Sequence, residues 1–328
     1  MNVHVPRRDG DDILAKGGGQ VRRRCTIAVA SLVWARYRAR NTQPGQAYMQ
    51  DLDVLKALVV ADHTQRGQPI SKLGYFCAPF RPKDGPFADK VIKVYRGLKD
   101  HTALHRLATC HDDYVAVLHK TSVPLPETTF HLLSFERELV PVIVQDALPE
   151  ASMMRDQMLR ADTAQAVTLL EAAANVIADF WNNLETDGLR VGFHPSIRNF
   201  AIVDGRAVFF DTFPPLIHYD RPEMGRMLLQ FSEKRLMRVL GPLVRTTVTS
   251  IQDEWYSPPE TFVGLVGSAC RLRPDDRTAF LDWGNAFVTR RMPRWAGEAH
   301  AGLQAPPRLP GYWTTMRKLL GLQGAPNV

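Results

Sequence analysis

The stretch of sequence that decides the fold is Phe193–Phe213, which reads FHPSIRNFAIVDGRAVFFDTF. Near its middle two apolar runs flank the pair Asp204-Gly205, and an Asp-Gly pair between apolar runs is a strong signal for a two-residue β-hairpin. With this turn fixed, the register of the two strands follows, and Asn199 lies opposite Phe210. The stretch therefore predicts a short hairpin that opens at these two residues.

The open end of this hairpin brings two oxygen ligands together. Asp211 follows the strand directly, so its carboxylate is expected within about 5–8 Å of the Asn199 amide. An amide oxygen and a carboxylate suit Mg²⁺, which keeps several waters and takes phosphate oxygens as further ligands. A plainer interpretation stays open, in which Asn199 caps a turn and Asp211 starts the loop before Pro214-Pro215.

Outward from the hairpin, hydrophobic periodicity places strands before helices. Strands are predicted over 70–78, 91–95, 130–135 and 139–144. Helices are predicted over 51–60, 100–118 and 162–186, and the last has a capping box at Asp162 and Gln165. Residues 79–86 are predicted as a turn region and 145–149 as a connector. From residue 220 the pattern is mostly helical, with breaks near 258–259 and 306–310. The fold class is therefore α+β with segregated lobes.

Composition and charge narrow the class of protein. The chain has 328 residues, of which 45% are hydrophobic and 23% charged. This usage is ordinary for globular proteins and excludes a disordered, collagen-like or disulfide-stapled chain. The four cysteines form no C-x-x-C pair, so reduced thiols and a cytoplasmic location are expected.

The surplus positive charge lies near the N-terminus. The net charge is +7, and the first 50 residues hold nine Lys and Arg against three acids. Their uncharged run Cys25–Ala35 has eleven residues, too few for a membrane span of about 20. Residues 1–48 are predicted to be a basic, loosely ordered extension. Binding of this segment to nucleic acid or to a membrane surface is the sharper alternative.

The segment Phe193–Asn199, the hairpin and the Asp211–Phe213 triplet (DTF) together resemble the catalytic loop and DFG region of the protein-kinase-like superfamily. They are most similar to its aminoglycoside phosphotransferase and choline kinase branch. The resemblance implies a two-lobed fold, with a small β-rich N-lobe over 49–147 and a larger, mostly helical C-lobe over 148–328. It also implies that Asn199 and Asp211 hold Mg²⁺ on the phosphates of a nucleotide.

Upstream elements follow the order of the same superfamily. Residues 91–95 resemble the strand whose lysine holds the α- and β-phosphates, which implies that role for Lys93. Gly74 falls in the phosphate loop. Gln145 and Ala147 fall where the superfamily's hinge meets adenine through backbone groups. In the helix over 100–118, Asp112 is the nearest acidic candidate to pair with the lysine.

Two departures from the superfamily pattern bear on activity. His194 stands where the superfamily has its catalytic Asp, five residues before Asn199. A neutral imidazole is able to accept a proton near pH 7, although it lacks a fixed negative charge. Gly74 is the single glycine of the presumed phosphate loop, where the superfamily often has more. Weak catalysis and lost catalysis therefore both stay open.

These observations lead to a principal prediction and an alternative. The principal one is an ATP- and Mg²⁺-dependent phosphotransferase that acts on a hydroxyl of a small molecule, with His194, Asn199 and Asp211 at its catalytic centre. The alternative is a pseudokinase-like module that binds nucleotide without transferring phosphate. No specific nucleic-acid partner and no transmembrane segment are expected.

Overall fold

The computed structural model describes residues 45–61, 68–69, 77–136, 138–185, 188–231 and 253–304. The chain divides into two compact units, Met1–Leu55 and Lys56–Val328. The predicted basic extension, except its last four residues, and most of the strand predicted over 70–78 lie outside the described residues. Helix α1 (Gly45–Val60) confirms the helix predicted over 51–60 and begins six residues earlier.

A five-stranded antiparallel sheet forms the first half of the second unit. Its order is β1-β2-β3-β5-β4. The inner strand β5 (LVPVIVQD) pairs with β3 along one edge and β4 along the other, and all its residues except the first and last are buried. A near-continuous apolar run is typical of a strand covered on both faces. The strands are β1 (Gln68–Pro69), β2 (Phe80–Arg81), β3 (Lys90–Val94), β4 (Thr128–Ser134) and β5 (Leu139–Asp146).

Two details of the sheet differ from the sequence prediction. The proline-rich stretch predicted as a turn region contains β2, because Phe80 pairs with Ile92 of β3. The predicted connector begins too early, since Gln145 still pairs with β3 and β4 and Asp146 still pairs with β3. Ladder partners on neighbouring strands, which no local pattern reveals, extend the strand past the point where its apolar run ends.

Helices make up most of the remainder. Helix α2 (His101–Lys120) begins at Asp100, whose carboxylate accepts hydrogen bonds from two backbone N–H groups of the first turn. Helix α4 (Thr163–Asn183) has the predicted capping box. The short α3 (Met154–Arg160) was not predicted. The later helices are α5 (Arg221–Gln230), α6 (Pro258–Leu272), α7 (Arg277–Arg291) and α8 (Ala296–Gln304).

The hairpin has the predicted register. Strand β6 (Phe200–Val203) pairs with β7 (Arg206–Phe209) in the four pairs that the turn at Asp204-Gly205 requires. Both turn residues have positive φ, 49° and 74°, as expected for the two central residues of a type I′ turn. Helix α4 packs its apolar stripe on β7, α6 and α7, so the longest helix among the described residues fixes the hairpin.

The fold class is therefore α+β, with a small antiparallel sheet and a mostly helical remainder, as predicted. The sheet and helices α2–α8 belong to one compact unit. Across the described ranges, no helix combines the length and the apolar character that crossing a membrane requires.

Helix α8 packs closely against α6 at Gly302. A Cβ atom at Gly302 would lie 2.8 Å from Cγ2 of Val263, a buried β-branched side chain with little freedom to move. Gly302→Ala should lower the free energy of unfolding by about 1–3 kcal/mol through overpacking. Gly297→Ala on the same helix, where no atom lies within 4 Å, is the control.

Urea unfolding of both variants tests this contact. Gly297→Ala should be neutral or stabilising by up to about 1 kcal/mol, because alanine has the higher helix propensity. Equal stabilities of the two variants would show that α6 and α8 are packed less closely than the structure has them.

Candidate functional site

The open end of the hairpin fixes Asn199 through its backbone and its side chain. The Phe210 N–H donates to the Asn199 carbonyl at 3.0 Å, which places these two residues opposite each other as the register predicts. The Asn199 amide Nδ2 donates to the His194 carbonyl at 3.0 Å. Since Nδ2 is directed at the backbone, the side-chain Oδ1 is the atom left to act as a ligand.

Lys93 of β3 reaches the other strand of the hairpin. Its Nζ donates to the Phe210 carbonyl at 2.7 Å, across 117 positions of sequence. The lysine is buried, and burial lowers its pKa while the charge of Asp211 acts in the opposite direction. The predicted nucleotide lysine and the predicted metal carboxylate are therefore brought together, although they come from different elements.

Asp211 is the carboxylate that acts on the surrounding buried groups. It is only partly buried. Its negative charge raises the pKa of Lys93 and of His194, which opposes the effect of burial. It also raises the pKa of Tyr95 and of Tyr114, which adds to the effect of burial. Both tyrosines are buried, with pKa values well above the ordinary range because burial disfavours the phenolate. The site therefore combines one carboxylate with one buried ammonium among neutral groups.

His194 is held by an aromatic contact that the sequence analysis missed. The Trp255 ring lies 4.4 Å from the imidazole, at an interplanar angle of 33°, and the Trp255 carbonyl accepts a hydrogen bond from the Phe193 N–H at 2.6 Å. Burial lowers the pKa of His194, and the charge of Asp211 only partly opposes this. The imidazole is therefore neutral at pH 7 and able to accept a proton. No local motif marks Trp255, because only the tertiary fold brings it to the loop.

The loop before His194 depends on a glycine. A Cβ atom at Gly192 would lie 2.9 Å from the Trp255 carbonyl oxygen and equally close to the Tyr256 ring. The Gly192 carbonyl also accepts a hydrogen bond from the Tyr114 hydroxyl of α2 at 3.1 Å. The close approach therefore requires glycine here and ties α2 to the loop that carries His194.

His111 of α2, rather than the predicted Asp112, faces the site. Its imidazole is 1% exposed and shares a 3.0 Å hydrogen bond with the Thr212 hydroxyl. Burial, followed by the nearby charge of Lys93, lowers its pKa to about 3. Asp112 is exposed on the next position of the helix, and no ion pair among the described residues joins it to Lys93. The 3.6-residue period turns adjacent side chains to different faces, so the sequence identified the helix but not the facing residue.

The predicted adenine-contacting residues are engaged within the protein. The Gln145 side chain is buried and donates to the Thr128 hydroxyl at 2.9 Å. The Ala147 N–H donates to the Asp89 carbonyl at 2.8 Å. This N–H is therefore not available to a ligand in the arrangement described. Gly74, the predicted phosphate-loop glycine, lies outside the described residues.

The side-chain oxygens of Asn199 and Asp211 could hold a hard cation that takes few ligands from the protein. Within the described ranges, no group of three or more His, Cys, Asp and Glu side chains is arranged to hold a metal ion. Asn199 and Asp211 could supply two oxygen ligands to Mg²⁺, because this ion usually takes one or two protein ligands, several waters and phosphate oxygens. A zinc-type site with three or four His and Cys ligands is not what these residues form.

Comparison with known proteins assigns the chain to a family. A family model described as a family of unknown function (DUF6206) matches residues 54–324, and the chain belongs to this family. No curated protein matches the sequence. The match covers the sheet, the hairpin and the later helices, so the family model includes all of these elements.

The buried His111 predicts a pH dependence of stability. The unfolded chain binds a proton at this imidazole near its ordinary pKa of 6.5, whereas the folded chain binds it only near 3. The contribution of His111 is therefore complete above pH 6.5 and is lost as the pH falls toward 3. Between pH 7 and pH 4.5 it should lower the free energy of unfolding by about 2–3 kcal/mol.

Urea unfolding of His111→Gln at both pH values isolates this contribution, because the variant should lack that share of the loss. His119→Gln, at an exposed position of the same helix, should lose as much stability as the wild-type protein. An identical pH dependence in His111→Gln and in the wild-type protein would contradict the prediction.

Proposed function

We propose that this member of the DUF6206 family is a phosphotransferase of the kinase-like superfamily, which moves the terminal phosphoryl group of ATP to a hydroxyl of a small molecule with Mg²⁺. The observation that carries the proposal is the 2.7 Å hydrogen bond from the Lys93 Nζ to the Phe210 carbonyl. It brings a buried lysine of the sheet beside the carboxylate that follows the hairpin. Elements whose order along the chain resembles the superfamily thus also lie close together in space.

In phosphoryl transfer the protein mainly positions charged groups and supplies little covalent chemistry of its own. Lys93 would hold the α- and β-phosphates, and its burial strengthens an interaction with phosphate because the surrounding dielectric is low. Asn199 and Asp211 would hold Mg²⁺, which neutralises charge on the phosphate oxygens when it is bound. The two-lobed arrangement, with the nucleotide between the sheet and the hairpin, is part of the proposal.

His194 would act at the position of the general base. Its imidazole is neutral, and it would accept the proton of the acceptor hydroxyl as the phosphoryl group arrives. The nearby charge of Asp211 favours the imidazolium that forms, since it raises the pKa of His194. The Trp255 ring, tilted by 33° against the imidazole, limits its rotation.

A nucleotide-binding module without transfer is the second candidate. It is favoured by the imidazole at the position of the catalytic carboxylate and by the Ala147 N–H, which is already bonded to the Asp89 carbonyl. Such a protein would still bind the phosphates through Lys93. The cysteines that the structure describes are buried and form no disulfide with one another, which agrees with the proposed reducing, cytoplasmic location.

A thermal-shift titration with ATP and Mg²⁺ tests the nucleotide site. At 100 times its dissociation constant, a ligand that binds only the folded state adds about 2.7 kcal/mol to the free energy of unfolding. Lys93→Met keeps the length of the side chain without its charge and should remove most of the shift. Lys83→Met, at an exposed position before β3, should leave the shift unchanged. Equal shifts in both variants would contradict the site.

Replacing His194 with Asp separates the two candidate functions. If His194 acts as the base, the wild-type protein hydrolyses or transfers the terminal phosphate slowly, and His194→Asp changes the rate while His194→Ala falls to background. Phosphate release with a panel of small alcohols measures this. ATP binding without turnover in all three proteins would favour the binding module.

A further inference from the structure

The residues on both sides of Asp211 are anchored to different parts of the molecule. Phe210 is bonded through its N–H to Asn199 and through its carbonyl to Lys93. The Phe213 ring stacks on Tyr95 at a centroid distance of 3.8 Å and an interplanar angle of 23°. Asp211 is partly exposed, between the half-buried Phe210 and the buried Thr212 and Phe213. The direction of its carboxylate is therefore set by how firmly the segment 210–213 is held.

Thr212 has its own anchor on helix α2. Its side chain is fully buried, and its hydroxyl shares the 3.0 Å hydrogen bond with Nε2 of His111. The Phe130 ring covers the same imidazole at a centroid distance of 5.0 Å. Nδ1 of His111 is buried without a hydrogen-bond partner. The bond to Thr212 is therefore the polar contact that the buried imidazole makes, and α2 is connected to the residue next to Asp211.

This connection carries no charge. A buried imidazole with a strongly lowered pKa is neutral, so it adds no second positive charge beside the nearby Lys93. The neutral hydrogen bond fixes the segment without pairing with Lys93. The charge of Lys93 can then interact with Asp211 and with the ligand. Buried polar groups of this kind confer order only when they are bonded.

We propose that His111 and Thr212 are positioning residues, whose hydrogen bond aims the Asp211 carboxylate at the cation of the nucleotide site. The inference rests on the proposed function, because that function supplies the cation. Both side chains are buried, and neither is proposed to touch substrate or metal. Both act through the backbone of the segment 210–213, which their bond fixes from the side of helix α2.

Two nearly isosteric replacements of Thr212 test the inference. Thr212→Val removes the hydroxyl and keeps the shape, whereas Thr212→Ser keeps the hydroxyl. The probe is Mn²⁺, titrated with a non-hydrolysable ATP analogue and followed by electron paramagnetic resonance. Thr212→Val should weaken Mn²⁺ binding about tenfold, and Thr212→Ser by no more than about twofold. Thr168→Val, which removes an exposed hydroxyl bonded to the Ala164 carbonyl within α4, is the control.

A double-mutant cycle shows whether the two residues act through one bond. His111→Leu should weaken Mn²⁺ binding about as much as Thr212→Val, and the double variant should be no weaker than either one. Affinity for the analogue without metal, which depends on Lys93, should change less than twofold. A general loss of folding would lower both affinities, so this split separates positioning from structural damage.

The outcomes are distinguishable. Equal Mn²⁺ affinities in Thr212→Val, Thr212→Ser and the wild-type protein would overturn the inference and leave the proposed function intact. Additive losses in the double variant would overturn it as well. If the wild-type protein binds the analogue but no Mn²⁺, the proposed phosphotransfer fails together with the positioning of a cation ligand.

Discussion

The hydrogen bond between the Lys93 ammonium and the Phe210 carbonyl is the constraint on which the site depends. A buried ammonium is costly unless strong acceptors surround it, and this one has a backbone carbonyl and the charge of Asp211. To satisfy it, strand β3 of the sheet must lie against the end of strand β7. The solvation requirement of this side chain thus contributes to holding the sheet and the hairpin in one arrangement, together with the contacts of Phe213 with Tyr95 and of Thr212 with His111.

Few of the side chains around this contact are charged. Burial lowers the pKa of His111 and His194, so both imidazoles are neutral, and the buried tyrosines remain protonated. Asp211 is the carboxylate that acts on all of the others except His111. In such surroundings the positive charge of Lys93 and the negative charge of Asp211 act more strongly on neighbouring groups than they would in water, because the effective dielectric is lower. The arrangement suits a ligand that brings its own charges, such as a nucleotide with a metal ion.

Residues of the hairpin were predictable, whereas the residues that face it from elsewhere were not. Asn199 and Asp211 followed from the register that Asp204-Gly205 sets. His111 and Trp255 were missed, because they approach the site from a distant helix and a distant loop. Gln145 and Ala147 were assigned by position along the chain alone, and the structure shows that the Gln145 side chain and the Ala147 N–H are bonded within the protein.

By itself the sequence determined the elements whose signals are local. Turn chemistry defined the hairpin, apolar periodicity defined β3, β4, β5 and α4, and a capping carboxylate defined the start of α4. Only the tertiary structure decided which side of α2 meets the site, how far β5 continues and which ring covers His194. The physical reason is that burial and partner choice arise from groups far apart in the chain. Their contacts exist only after the sheet, the hairpin and the helices have packed together.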